Sequence, residues 1–190
     1  MKSLLCAHDK IAGHLSQMAP AALPTLARLG FAGVLLVYFW ISARTKLGDG
    51  PFGFLFPSDG AYIQIFPKAV EAAGYDVGQL GLVHYAVVLA GTLAEFVLPA
   101  LLISGLFTRL AALGMLGFIT VQSLTDIYGH GVGGEALGRW FDVAPDALIL
   151  DQRALWALLL TVLVFLGAGP LSLDRVLARS RPLSPPTQQS

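Results

Sequence analysis

The fold is decided by the stretch LVHYAVVLAGTLAEFVLPALLIS (residues 82–104) and its continuation GLFTRLAALGMLGFITVQSLT (105–125). A single helix over both segments would be ~60 Å long, twice the ~30 Å hydrocarbon thickness of a bilayer. The chain must therefore turn, and Ser104-Gly105 has the residue types of a tight turn. The pattern predicts a helical hairpin with membrane spans at 82–104 and 107–125.

Two further apolar windows complete the set, at 26–43 (LARLGFAGVLLVYFWISA) and 154–169 (ALWALLLTVLVFLGAG). Hydrophobic residues make up 55% of the chain and charged residues 13%, whereas soluble domains carry about 25% charged residues. The sequence therefore predicts an all-α integral membrane four-helix bundle over residues 26–174. Basic and acidic residues balance, so no net charge would attract nucleic acid.

The flanking segments predict little structure of their own. Residues 1–25 form a cytoplasmic or interfacial segment, either a short surface helix that Pro20 and Pro24 end or a frayed tail. They lack the long apolar region of a secretory signal, and Cys6 is interpreted as a reduced thiol without a redox role. Residues 175–190 are expected to be a disordered, basic and proline-rich tail.

Orientation follows from the basic residues of the connections. Seven of them would share the side that holds both termini: Lys2, Lys10, Arg28, Arg109, Arg175, Arg179 and Arg181. The other side would hold five basic residues and nine carboxylates in the loops 44–81 and 126–153. The positive-inside rule then places both termini in the cytoplasm. The first loop, rich in aromatic residues, either anchors at the interface or covers a cavity.

Glu95 is the sharpest functional feature, because an ionised carboxylate is costly inside a membrane unless it is paired. Pro99 lacks the N–H that would bond the carbonyl of Glu95, which adds an unsatisfied acceptor nearby. Counting helix rise places Arg109 or Arg28 within reach of Glu95 and leaves Lys46 too far away. A proton or ligand site and simple helix packing both remain open.

A second polar group is expected near the opposite membrane surface and includes Lys46, His84, Gln122 and Asp126. These residues either line a pocket or are ordinary interface residues. No spacing typical of a metal site, a nucleophile or a phosphate loop is found. Catalytic residues are therefore unassigned, no metal is expected, and the sequence does not favour an enzyme.

Four segments resemble the DoxX family of small bacterial membrane proteins. They are ISARTKL (41–47), the glutamate-containing second span, AEFVLPALLISGLFTRLAAL (94–113) and GAGPLSLD (167–174). The resemblance implies a four-helix bundle in the bacterial inner membrane, with Lys46, Glu95, Arg109 and Asp174 at family-type positions. The chain departs from many relatives in its long, glycine-rich loop before the fourth span, where DQRALW replaces a histidine-containing segment.

The resemblance also implies a role in redox physiology, since related proteins are associated with thiosulfate oxidation, quinone and oxidative or thiol stress. We therefore expect an accessory subunit of a membrane redox or thiol pathway, with quinone as the candidate cofactor. Its expected partners are lipid, a redox protein or a small lipophilic ligand, and oligomer formation stays open. The alternatives are a proton-coupled transporter that uses Glu95 and a structural or assembly protein.

Overall fold

The computed structural model describes residues 1–180, and every regular element in that part of the chain is helical. The all-α prediction is therefore confirmed there. The helices are α1 (Lys2–Thr45), α2 (Asp59–Ile65), α3 (Pro67–Ala72), α4 (Leu82–Ser104), α5 (Thr108–Gly129), α6 (Leu148–Leu166) and α7 (Leu173–Arg179). By length and composition, α1, α4, α5 and α6 can each cross a membrane.

Helix α1 continues through both prolines that were expected to end a surface helix, so that expectation is wrong. Pro24 is buried, and a Cβ atom at Gly169 would lie 3.2 Å from the Cβ of Pro24. The hydroxyl of Thr25 donates to the carbonyl of Ala21 at 2.9 Å. Packing against the chain after α6 therefore holds Pro24 in the helix, although its ring removes one backbone hydrogen bond.

The other helix bounds differ from the predicted spans mainly at their ends. Helix α4 has the predicted bounds, and α5 continues to Gly129 through a π-helical turn. Helix α6 begins at Leu148 and ends before Gly167, whose φ of +79° breaks the helix. Helix α7 occupies the start of the segment expected to be a disordered tail, and residues 181–190 lie outside the described part.

The four long helices pack as neighbours in the order α1, α4, α5, α6 and back to α1. Large buried side chains from all four helices fill the core, including Phe31, Phe39, Leu102, Met115 and Leu160. We call the end of this bundle that holds Arg28, the α4–α5 turn and Ser172 the termini end. The opposite end, which holds the connections after α1 and α5, is the loop end.

The predicted hairpin turn lies at Gly105, whose φ of +68° is left-handed. The N–H of Leu106 donates to the carbonyl of Leu101 at 3.0 Å, as in a helix that ends on a left-handed glycine. The carboxylate of Asp174 accepts from the N–H groups of Phe107 and Thr108 at 2.8 and 3.0 Å. A negative charge there suits the start of α5, so the residues after α6 fix the hairpin.

Replacing Gly105 by alanine is expected to destabilise the protein. The new Cβ would lie 2.6 Å from the Cβ of Ser172 and 2.8 Å from the Cζ of Arg28. A left-handed non-glycine residue alone costs about 1–3 kcal/mol, and the clash adds to that cost. The melting temperature in detergent should be clearly lower for Gly105→Ala than for the wild type. The control Gly117→Ala adds a Cβ that meets nothing within 4 Å, so equal melting of the two variants would contradict this expectation.

Arg28 closes the termini end of the bundle by donating only to backbone carbonyls. Its Nε donates to Leu102 at 2.9 Å, one Nη to Ala168 at 3.0 Å, and further bonds reach Ile103 and Leu171. Two of these carbonyls belong to the last turn of α4, where the helix offers no N–H partner. We call this set of contacts the Arg28 clasp. It ties the ends of α4 and α6 to α1.

Candidate functional site

Glu95 lies in the middle of α4 and is paired with Lys46, the residue that follows α1. Nζ of Lys46 lies 3.0 Å from each carboxylate oxygen of Glu95, and both side chains are buried. Ser42 completes the group, because its hydroxyl accepts from Lys46 at 2.7 Å and donates to Glu95 at 3.2 Å. The pairing and hydrogen bonds compensate the cost of burying two charges.

This pairing corrects the expected partners of Glu95. Arg28 binds carbonyls in the clasp, and Arg109 is exposed near Gly167 at the termini end. Counting the helical rise gave the wrong partner because it assumed that the end of α1 lies at the same depth as the start of α4. The indole of Trp40 instead donates to the carbonyl of Phe96 at 3.3 Å, so the last turns of α1 lie beside the middle of α4.

A second ion pair joins α5 and α6. Nη2 of Arg153 contacts Oδ2 of Asp126 at 2.6 Å, and Nη1 donates to the hydroxyl of Ser123 at 3.1 Å. Arg153 is buried, and the side chain of Asp126 is 23% exposed. Arg153 is one of the five basic residues assigned to the loops 44–81 and 126–153, and it was not predicted as a site residue. Its position at the start of an apolar window was the available signal, because α6 begins before that arginine.

Both ion pairs face one cavity of about 630 Å³ in the loop-end half of the bundle. Ligand pockets in proteins commonly measure about 300–1,000 Å³. Besides the four charged residues, its wall includes Tyr38, Ser42, Ala90, Gly91, Ala94, Leu98, Gly114, Gly117, Phe118, Val121 and Gln122. We call it the loop-end cavity. Small and apolar residues therefore surround two separate polar groups.

Two buried polar atoms of residues in the cavity wall have no hydrogen-bond partner in the described structure: Nε of Arg153 and Oε1 of Gln122. The amide nitrogen of Gln122 donates to the hydroxyl of Tyr38 at 3.1 Å, which orients the side chain. A buried polar atom without a partner costs free energy. Side chains of the cavity wall therefore hold one donor and one acceptor that no protein group satisfies.

The polar group predicted near the second membrane surface is only partly assembled at this cavity. Lys46, Gln122 and Asp126 all line it, whereas His84 does not. The imidazole of His84 packs edge-on against the ring of Phe66, with 4.8 Å between ring centroids. The aromatic segment before Phe66 folds back over the bundle, which explains why His84 meets that loop instead.

The connection after α1 covers the loop end of the cavity. A Cβ at Gly91 would lie 3.6 Å from Cδ1 of Ile65, and a Cβ at Gly129 would lie 2.9 Å from Cγ of Pro67. Nε2 of His130 lies 2.9 Å from the carbonyl oxygen of Gln64. Residues 64–67 therefore lie over this end of the cavity, whereas Phe52, Phe54 and Phe56 of the same connection are exposed, so both roles expected for the loop stay open.

No family model, curated protein or solved structure matches this chain. Within residues 1–180, no three His, Cys, Asp or Glu side chains are grouped so that they could hold a metal ion. What the cavity combines is two carboxylates, two cations, a free donor, a free acceptor and an apolar wall.

Proposed function

We propose that this protein is an accessory membrane subunit of a redox or thiol-stress pathway and binds a quinone in the loop-end cavity. The observation that carries the proposal is the pair of ion pairs facing one apolar cavity of about 630 Å³. Ionic groups are costly in such surroundings, and in membrane proteins they often mark ligand or proton sites. The sequence resemblance to the DoxX family supports the same class of function.

The residues present fit a quinone headgroup. Its carbonyl oxygens need donors, and Nε of Arg153 is a buried donor without a partner. The carboxylates of Glu95 and Asp126 stand at the same cavity as possible proton acceptors. When bound, a quinone would supply two-electron redox chemistry, with electrons exchanged through a partner protein. The chain's own residues would hold the ring and exclude bulk water from it.

In the proposed setting, the four long helices cross the bacterial inner membrane and both termini lie in the cytoplasm. The termini end has Arg28, Arg109, Arg175 and Arg179 among its basic residues, as the positive-inside rule requires of a cytoplasmic face. The loop end, with its cavity and its acidic connections, then faces the opposite side. A ligand held there would lie in the outer half of the membrane.

Direct binding tests the proposal. Protein in lipid nanodiscs is titrated with decylubiquinone, and the wild type is expected to show saturable binding at one site. Ala94→Phe places a ring in the cavity wall and should abolish binding. Val97→Phe is the matched control, because Val97 is exposed on the same helix and lies outside the cavity lining. Absence of binding by the wild type, or equal binding by both variants, would count against the proposal.

A proton-coupled transporter is the second candidate, favoured by the buried Lys46–Glu95 pair, whose glutamate lies four residues before Pro99 within α4. A proton that neutralised Glu95 would leave Lys46 without its counter-charge. The net charge inside the bundle would then change by one unit. Proteoliposomes with a trapped pH dye would detect a substrate-driven proton flux. Glu95→Gln should abolish that flux, whereas a flux that survives the substitution would rule out this mechanism.

A further inference from the structure

Helices α4 and α5 separate toward the loop end. Close to their turn they touch, and a Cβ at Gly114 would lie 3.0 Å from Cδ2 of Leu98. Farther along, a Cβ at Gly117 would meet nothing within 4 Å, and one at Gly91 would meet only Ile65 of α2. Helices α4 and α5 are therefore in contact between their turn and the cavity, and they leave a gap beside the cavity itself.

The residues on both sides of this gap are small and exposed. Ala90 on α4 and Gly117 and Val121 on α5 are all exposed, and all three line the loop-end cavity. Glu95 lines the same cavity and is buried. Exposed lining residues locate a mouth, so the cavity opens sideways between α4 and α5.

The aqueous route at the loop end is partly covered, and the lining residues Gln64 and His130 are exposed there. Helices α2 and α3 lie across it, with Ile65 against Gly91 and Pro67 against Gly129. The loop preceding them is also anchored, because the hydroxyl of Tyr85 donates to the carbonyl of Leu55 at 2.8 Å. A cavity whose end is partly covered by α2 and α3 and whose side opens between α4 and α5 suits a ligand that arrives from the side.

We infer that the ligand of the loop-end cavity is dissolved in the bilayer and passes sideways through the gap between α4 and α5, which we call the α4–α5 mouth. This inference rests on the proposed function insofar as the cavity holds a ligand. It adds the physical class of that ligand and its route. A molecule confined to water would have to pass the cover formed by α2 and α3.

The cavity also dictates how such a ligand lies. Gln122, Asp126 and Arg153 line it near the loop end, and the Lys46–Glu95 pair lines it farther in, beside Leu98 and Gly114. From Val87 to Leu98 the lining follows α4 for about 16 Å, given the helical rise per residue. The matching ligand is elongated, with a hydrogen-bonding headgroup between the two ion pairs and an apolar tail in the α4–α5 mouth.

Photolabelling tests the α4–α5 mouth without any quinone. An uncharged aryl trifluoromethyl diazirine is dissolved in the bilayer of proteoliposomes, and labelled residues are identified by mass spectrometry. We expect label on the buried Glu95 of the wild type. Gly117→Phe, which puts a large ring in the mouth, should lose that label. Gly117→Ala, whose added Cβ meets nothing, should keep it.

A second blocking variant keeps the test valid if Gly117→Phe fails to fold. Val121→Trp enlarges a residue that is 58% exposed at the same mouth, and it should also lose the label on Glu95. Label that persists in both folded blocking variants would overturn the inference. So would label on Glu95 from a charged, water-soluble diazirine alone, or from neither reagent. Failure of decylubiquinone to bind would instead contradict the proposed function, so the two failures are distinguishable.

Discussion

Lys46→Met is expected to lower the free energy of unfolding strongly, because it leaves the buried carboxylate of Glu95 without its cation. The ammonium group of Lys46 is buried and lies 3.0 Å from both carboxylate oxygens. Without it, the carboxylate keeps only the weaker hydrogen bond from Ser42. Removing one partner of a buried ion pair typically costs about 3–5 kcal/mol, because the other charge is left uncompensated. Unfolding by SDS titration in mixed micelles, followed by circular dichroism, measures the loss.

Two further variants distinguish the loss of the Lys46–Glu95 ion pair from the general effect of removing a positive charge. Arg44→Met removes an exposed cation from the same end of α1 and should change the unfolding free energy little. The double variant Lys46→Met/Glu95→Leu removes both charges at once and should recover most of the stability lost in Lys46→Met. A Lys46→Met protein as stable as Arg44→Met would contradict the account of this pair.

Arg28→Gln is expected to cause the second large loss of stability. Four backbone carbonyls would lose their charged donor, among them those of Leu102 and Ala168. Hydrogen bonds to charged groups contribute about 1.5–3 kcal/mol each when buried, but Arg28 is only partly buried and the bonds do not add fully, so a total loss of about 3 kcal/mol is expected. The same SDS titration measures it, and the ends of α4 and α6 should also exchange amide hydrogens faster.

The variant Arg28→Lys separates the contribution of the positive charge of Arg28 from that of its hydrogen-bond geometry. Arg28→Lys keeps the positive charge but loses the planar fork that reaches carbonyls of α4 and of the segment after α6, so it should restore only part of the stability. Arg109→Gln is the control, because it removes an exposed arginine from the termini end. If Arg28→Lys were as stable as the wild type, the Arg28 clasp would owe its effect to charge alone.

The sequence predicted helix locations better than side-chain partners. Apolar length fixes where a membrane span can lie, and Gly105 marks the turn, so α4 was predicted to the residue. The partner of Glu95 depends on how far α1 slides along α4, which hydropathy does not encode. A shift of a few residues places Lys46, instead of Arg28 or Arg109, beside the carboxylate.

Arg153 illustrates a second limit of prediction. The predicted apolar span began one residue after Arg153 and so left it out. Helix α6 begins earlier, at Leu148, and this places Arg153 opposite Asp126. Pro20 and Pro24 show the reverse case. A strong local signal for a helix end is overridden because Pro24 packs in the bundle. Local sequence rules thus failed where contacts between distant segments decide the structure.

Decylubiquinone binding by the double variant Lys46→Met/Glu95→Leu is the most direct test of the central claim that the polar wall of the cavity serves a ligand. This variant is expected to fold with most of the stability of the wild type, so a change in binding would report on function. The claim predicts that the folded double variant loses saturable quinone binding in nanodiscs, while Arg44→Met retains it. Binding by the double variant at wild-type affinity would show that the ion pair only ties helices together.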